Sequence, residues 1–585
     1  MANVRENAGT VPVTGAALLR ETVRHSAVVC VVLCLVSTAT AAASLLLPAA
    51  LGRALDLLLA DAGDGRAARW VLLCTALVLL SALLDTVETV LDGTTNARTT
   101  AWLRERLTGH VLAVGPRAGL RFGPGDLVAR LVGNAAQAGS APAAVAALTA
   151  AVALPAGALV ALGLIEPRLA AVLLGGAPLL ILLLRAFARD STGCAARYQE
   201  VQGRIAEALA EAVGGARTIA AAGTADRDTA RVLRPLPELS RQGHDMWRIQ
   251  GRAAAQAVAI APLLQLGVVA AGGILLTRNE LTVGEVVAAS RYAALATGVG
   301  VLVAPLSGLA RARASAARLG EVLAEPALRY GDRRLPPGAG RLELRGVTAR
   351  RGGRTVLDGV DLVVPGGTSV AVVGRSGAGK SLLAAVAGRL TDPDDGTVLL
   401  DGVPLTEVTG TDLRRAVGHA FERPALLGET VADTIALGSA GLTRDRTRQA
   451  ARAARADAFI ARLPQGYDTR CADAPLSGGE AQRLGLARAF AHEGRLLVVD
   501  DALSSLDTVT ERQVTDALLA STPDRTRLVV AHRAATAARA DSVVWLDDGR
   551  IRATGSHARL WESAEYRRVF EPDGPPGTSD EGGAL

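Results

Sequence analysis

Residues 27–52 run without a single charge. About 20 consecutive apolar residues carry a helix through the ~30 Å hydrocarbon core of a bilayer. A charge-free run of that length commits this end of the chain to a membrane. Five more apolar stretches follow: 71–91, with Asp85 and Glu88 near its end; 141–165, uncharged; 169–188, entered through the hinge Glu166-Pro167-Arg168; 253–277; and about 283–310, with Arg291 inside. They read as six membrane-spanning helices. The N-terminal segment carries Arg5, Arg20 and Arg24 but no small-residue cleavage site, and the first apolar run is too long for a signal peptide.

The gaps 92–140 and 189–252 are long, rich in arginine and helical in pattern, as in Trp102-Leu-Arg-Glu-Arg-Leu. The positive-inside tendency puts the N-terminus, both long gaps and the C-terminal half in the cytoplasm. Half of the residues are apolar yet only 3% are aromatic, so the apolar character is mostly Ala, Leu and Val. The net charge of +6 is modest for 585 residues. Arginine beside membrane spans accounts for it, and nucleic acid is not the expected partner. The five cysteines, Cys30, Cys34, Cys74, Cys194 and Cys471, lack zinc-site spacing and read as free thiols.

Pro326, Pro336 and Pro337 mark residues 319–340 as a linker between a membrane domain (1–318) and a domain with a βα pattern (341–570). The Pro/Gly/acid-rich residues 571–585 read as a disordered tail. Within the second domain, Gly374-Arg-Ser-Gly-Ala-Gly379-Lys380-Ser381 fits G-x-x-x-x-G-K-[ST] between a strand run and a helix start. Lys380 is the one lysine among 63 Lys and Arg residues. A compact ammonium fits between phosphate oxygens where a planar guanidinium does not. Backbone N–H groups around Gly374, Ser376, Gly377 and Gly379 cradle phosphates, aided by the helix N-terminus. Lys380 is expected at the β- and γ-phosphates and Ser381 at Mg²⁺. Leu496-Leu-Val-Val-Asp500 is a strand ending in an acid suited to the water shell of that ion. The fold class is therefore an all-α six-helix membrane domain fused to an α/β P-loop ATPase domain, with ATP and Mg²⁺ as cofactors.

Leu476-Ser-Gly-Gly-Glu480 stands 20 residues before that strand. It resembles the LSGGQ signature of the ABC ATPase family, with Glu480 in the last place. Ser505-Leu506-Asp507 resembles the family's D-loop and Ala531-His532-Arg533 its switch histidine. Asp547-Asp-Gly-Arg-Ile551 and Gly555-Ser-His557 resemble the end of the domain. The six-span half resembles type IV, exporter-type ABC transporters. Leu120-Arg-Phe122, Gly125-Asp126-Leu127 and Arg130-Leu131 are similar to the segment after the first coupling helix. Residues 211–215 with Arg217-Thr218-Ile219 are similar to the second. The resemblance covers nearly the whole chain. It implies half of a dimeric transporter, in which Ser477, Gly478 and Gly479 act on ATP held by a partner chain. It further implies a multi-pass protein of the plasma (inner) membrane, with membrane lipid around it and the ATPase domain in the cytoplasm. Asp507 is assigned to the same composite sites.

Three positions depart from the family pattern. Asp501 follows Asp500 where the family carries the glutamate that polarises water, and its carboxylate falls ~1 Å short. Misplacement on that scale costs a rate on the order of 10²-fold. Glu422 takes the glutamine position that approaches Mg²⁺, and Arg351 takes the place of the aromatic residue that stacks on adenine. A guanidinium plane can also stack on a base. The segment between Tyr467 and Leu476 is shortened as well. The catalytic candidates are Asp501, His532 and Glu422; Ser381, Glu422 and Asp500 are the Mg²⁺ candidates, partly through water. Asp501, Glu422 and Arg351 all belong to the chain's own ATP, while the signature is nearly intact. That asymmetry resembles one subunit of a heterodimeric ABC transporter. The alternatives are a slow homodimer in which Asp501 works and a regulatory membrane subunit with an inert ATPase. Six spans exclude a soluble ABC ATPase acting on DNA or ribosomes.

The architecture predicts export of a peptide, lipid or natural product, with import of a metal chelate as the alternative. Asp85 and Glu88 share a helix face; acids buried in a membrane are costly and often functional, and the simpler reading is that both face water at the outer mouth. Arg291 either pairs with such an acid, the simpler reading, or meets an anionic cargo. Gln256 and Gln265 either line a cavity or bond neighbouring helices. Low aromatic content argues against a stacking-rich drug pocket.

Overall fold

A computed structural model describes residues 14–60, 65–298, 303–439, 441–504, 506–521 and 524–570. The chain divides into two compact units, one of residues 1–112 and 121–326, the other of residues 113–120 and 327–585.

The first unit is helical. Its elements are α1 (Gly15–His25), α2 (Ala27–Leu59), α3 (Arg66–Val114), α4 (Ala141–Ile165), α5 (Pro167–Gly214), α6 (Leu236–Thr277), α7 (Val283–Thr297) and α8 (Val303–Leu323). The first five apolar stretches lie on these helices, and the sixth begins on α7 and ends on α8. Among the described residues, three helical segments are long and apolar enough to cross a membrane: Ala27–Leu59, Arg66–Val114 and Pro124–Ile165. Shorter apolar segments are Pro167–Gly176 and Ala261–Thr277. The fourth and fifth expected spans include side chains outside the described residues, and the sixth is divided by residues 299–302, also outside them. Helix α8 runs to Leu323, inside the segment read as linker.

The break between α4 and α5 falls at the predicted hinge. Glu166 is extended, with φ −158° and ψ 117°, and its carboxylate accepts from the Arg168 backbone N–H at 3.4 Å. Pro167 at the first helical position has no N–H to leave unpaired. Leu162, Leu169, Val268, Ala289 and Ala293 share a buried core that joins α4 to α7. Backbones of α2 and α7 nearly touch: a Cβ built on Gly52 would lie 2.4 Å from the Gly284 carbonyl oxygen. Small residues permit such close helix contact in membranes. Asp56 seals it, accepting from Gly284 N–H and from Thr282 Oγ1, each at 2.7 Å.

Among the described residues, some polar side chains within the spans find partners and others do not. Glu88 accepts from Ser37 Oγ at 2.5 Å, tying α3 to α2, while Asp85 is exposed. Gln265 Nε2 donates to Ser290 Oγ at 3.1 Å and so bonds α6 to α7. The Gln256 and Cys194 side chains lie outside the described residues; the other four cysteines are free. Arg291 is exposed and makes no ion pair among the described residues, which corrects the expected pairing with Asp85 or Glu88. The packed face of α7 is built from Gly284, Ala288, Ala289, Tyr292 and Ala293, and Arg291 lies off it.

Among its described residues the second unit has ten strands: β1 (Leu342–Arg351), β2 (Arg354–Val364), β3 (Ser369–Val373), β4 (Asp395–Leu400), β5 (Val403–Pro404), β6 (Val417–Phe421), β7 (Leu496–Asp500), β8 (Thr526–Val530), β9 (Ser542–Asp547) and β10 (Arg550–Gly555). An antiparallel sheet runs β2-β1-β4-β5, and a six-stranded sheet runs β10-β9-β3-β8-β7-β6. In the larger sheet β3 pairs in parallel with β8 and β9, and β7 with β6 and β8. Every residue of β3 and β8 is buried. Burial on both faces explains why Val370–Val373 of β3 and Leu528–Val530 of β8 read as continuous apolar runs rather than alternating ones. Ligands in such sheets bind at the carboxyl ends of the parallel strands. The loop after β3, Asp500 ending β7 and His532 just past β8 all lie there.

Candidate nucleotide site

The loop from Gly374 to Gly379 leads from β3 into helix α9 (Lys380–Ala387). Two glycines are required by contact and conformation. A Cβ on Gly374 would lie 2.2 Å from the Leu546 carbonyl oxygen, and Gly379 adopts φ +99°. The second is a left-handed conformation that costs other residues roughly 1–2 kcal/mol. Lys380 is only 6% exposed, and its ammonium donates to the carbonyls of Gly374 (2.8 Å) and Arg375 (2.9 Å). Burial lowers its pKa, and the carboxylates of Asp501 and Asp500 pull it back up.

Burial pushes the Asp500 carboxyl above the usual range, and the Ser381 hydroxyl beside it acts in the opposite direction. Asp500 Oδ1 is buried and accepts no hydrogen bond among the described residues. An orphaned carboxylate oxygen beside a serine hydroxyl fits a hard divalent cation such as Mg²⁺. No group of three or more His, Cys, Asp or Glu side chains among the described residues could hold a metal alone.

Asp501 has φ +52°, a left-handed backbone that aspartate tolerates better than most residues. Its Oδ2 lies 3.6 Å from His532 Nε2. Burial raises its pKa, His532 opposes this, and the charges of Glu422 and Asp500 reinforce it. Glu422 follows β6 directly, with its carboxylate half exposed and 3.8 Å from the Arg423 guanidinium.

A cavity of about 620 Å³ gathers most of the predicted residues: Arg351, Ser376, Gly377, Gly379, Lys380, Ser381, Asp500, Asp501 and His532. Gly374 lies beneath the loop, and Glu422 stands beside the lining residue Phe421. Ser477, Gly478, Gly479 and Asp507 do not line it. Ser477 caps helix α10 (Gly478–Ala491) in a capping box: Glu480 N–H donates to Ser477 Oγ at 3.3 Å, and Ser477 N–H donates to Glu480 at 2.9 Å. Asp507 spends a carboxylate oxygen on Thr510 N–H at 2.9 Å, capping the helix Thr508–Ser521. Ser505 lies outside the described residues.

Sequence reasoning missed three contributors. The S-x-x-E spacing of the capping box was present in the signature. Gln482 Nε2 donates to the backbone carbonyls of Glu422 (3.2 Å) and Asp501 (3.5 Å), so one side chain ties the two departures together. Pro116 and Arg117 also line the cavity; the resemblance noted for the segment that follows them was the one signal near them.

Residues 357–504 match the family described as "ABC transporter", and residues 30–299 match "ABC transporter transmembrane region". The "ABC transporter ATP-binding protein RamA" of Streptomyces coelicolor is 53% identical over 543 residues, 93% of this chain and 85% of that protein. The chain belongs to the ABC transporter family. It carries a membrane region fused to an ATPase domain and is an ATP-hydrolysing transporter polypeptide. An "ATP-dependent lipid A-core flippase" of Aromatoleum aromaticum is 34% identical over 67% of this chain and 66% of that protein. The "Mycobactin import ATP-binding/permease protein IrtB" of Mycolicibacterium smegmatis is 39% identical over 48% of this chain and 50% of that protein. The structure of a bacterial Atm1-family ABC exporter with ATP bound matches with a TM-score of 0.78 at 25% identity, covering 94% of this chain and 98% of that one. ABC architecture of the exporter type is thus established for this chain.

Proposed function

We propose that this chain is one half of a heterodimeric ABC exporter, which retains ATP at its own P-loop and completes the faster site of a different half-transporter. The observation that carries this reading is Asp501, a short carboxylate in the water-polarising position and 3.6 Å from His532. Arg351 and Glu422 mark the same ATP. Ser477, Gly478 and Gly479, held at a capped helix start, stand outside the cavity and serve the ATP of the partner chain.

Bound ATP and Mg²⁺ supply the phosphoryl bond and the charge that organises it. Lys380 exchanges its two carbonyl contacts for phosphate oxygens, Asp500 and Ser381 take the cation, and Arg351 stacks on the base. Asp501 orients water poorly, so hydrolysis here is slow. The membrane domain is taken as residues 1–318 and the ATPase domain as 341–570, in the inner membrane with the ATPase domain in the cytoplasm. Outward movement of a lipid-like cargo is supported by the lipid A-core flippases and the Atm1-family exporter among its relatives, and a peptide or natural product remains the alternative cargo.

A homodimer is the second reading. It is favoured by the retained His532 beside Asp501. ATPase activity of the purified chain in nanodiscs, alone and with a half-transporter carrying glutamate after its Walker aspartate, separates the two. Robust turnover alone, abolished by Asp501→Asn, overturns the heterodimer.

A further inference from the structure

Arg117 lies on the short helix Pro116–Phe122, in the segment that belongs to the same compact unit as the ATPase fold. Ala118 and Val114 are each 1% exposed, so this segment is anchored by its own buried side chains. Arg117 is instead exposed and lines the nucleotide cavity together with Arg351. Neither guanidinium has an ion pair or side-chain hydrogen bond among the described residues. Two unpaired cations lining one cavity repel each other until an anion enters between them. Both are planar groups that can hydrogen-bond phosphate or ribose oxygens and stack on a purine. Both guanidiniums share the cavity lining with apolar side chains such as Val356 and Phe421.

We propose that Arg117 is a ligand of the bound nucleotide, acting with Arg351, which lies more than 200 positions further along the sequence. One residue, Gly115 at φ +71°, separates the end of α3 from this short helix. Arg117 is thus three peptide bonds from Val114, the last residue of α3. The inference rests on the nucleotide cavity alone and holds for a homodimer or a heterodimer.

The test is equilibrium binding of ATP and of inorganic tripolyphosphate to the full-length protein in nanodiscs with Mg²⁺. Arg117→Ala should weaken ATP binding about five- to tenfold, the scale for losing a charge-assisted contact at a partly exposed site. Arg117→Lys should recover part of it. Loss confined to ATP puts the contact at the base or ribose, and equal loss with tripolyphosphate puts it at the phosphates; either supports the proposal. An ATP affinity within about twofold of wild type in both Arg117→Ala and Arg117→Glu overturns it. Should Arg117→Ala lower the melting temperature of the nucleotide-free protein, Arg117→Gln and Arg117→Lys keep the anchoring stem and differ in charge. Equal ATP affinities in that pair overturn the proposal, and tighter binding by the lysine variant supports it.

Discussion

Lengthening Asp501 by one methylene should turn the slow site into a fast one. In the structure Asp501 Oδ2 reaches to 3.6 Å from His532 Nε2. Asp501→Glu advances the carboxylate by ~1 Å, and a misplacement of that size is worth about 10²-fold in a positioned reaction. At about 1.36 kcal/mol per factor of ten, this corresponds to ~2.7 kcal/mol of barrier. The backbone opposes part of the gain. Residue 501 sits at φ +52°, where aspartate is better tolerated than glutamate, and up to ~1 kcal/mol of folding stability is lost there. We therefore expect a 10- to 100-fold rise in phosphate release at saturating ATP, together with a slightly lower melting temperature. Asp501→Asn should leave the slow wild-type rate nearly unchanged, and Lys380→Ala should abolish nucleotide binding. Should Asp501→Asn remove most of the wild-type turnover while Asp501→Glu adds nothing, the aspartate already works at full reach and the reasoning fails.

In the paired transporter, Ser477→Ala should reduce turnover more than Lys380→Ala, because the serine serves the faster site; the reverse order in a phosphate-release assay would contradict the assignment. The same Ser477→Ala change also removes a helix cap worth ~1 kcal/mol, readable as a lowered melting temperature. Asp500 has its pKa raised by burial, so its proton competes with the cation: Mg-ATP affinity should fall as pH drops toward that raised value, whereas ATP affinity in EDTA should change less. In the metal-free protein the sign inverts, and this group's stabilising contribution is present at low pH and lost as pH rises through the folded value. His419 is held neutral by burial, with its pKa pushed down to about 3. Its unfolded form takes a proton below about pH 6.5, so stability should fall by ~1.4 kcal/mol per pH unit from there toward pH 3, and denaturant midpoints of the wild type and His419→Leu at pH 7.5 and 5.5 should differ in slope.

The P-loop was legible because its chemistry is local: eight consecutive residues carry the turn, the cation and the helix start. The apolar stretches were legible because a membrane imposes length and excludes charge. What escaped depends on placement. Arg291 was expected to pair, but the small residues of α7 turn the helix so that the arginine lies off the packed face. Asp507 fits a nucleotide motif and a helix cap equally well by spacing, and its carboxylate engages the cap. Glu480 read as a flawed signature glutamine, though the same S-x-x-E spacing specifies the capping box it forms. Arg117 and Arg351 meet in one cavity from more than 200 positions apart, and no local pattern records that.

The buried ammonium of Lys380 has a consequence outside ATP chemistry. It is the only side-chain amine in 585 residues. Acylating metabolites, amine-directed labels and lysine-borne degradation tags therefore have a single internal address on this chain, at the floor of the nucleotide cavity. Burial favours its neutral, nucleophilic form. A reagent that reaches it removes the P-loop cation and leaves the arginine surface untouched, so labelling read at Lys380 itself reports access to that cavity.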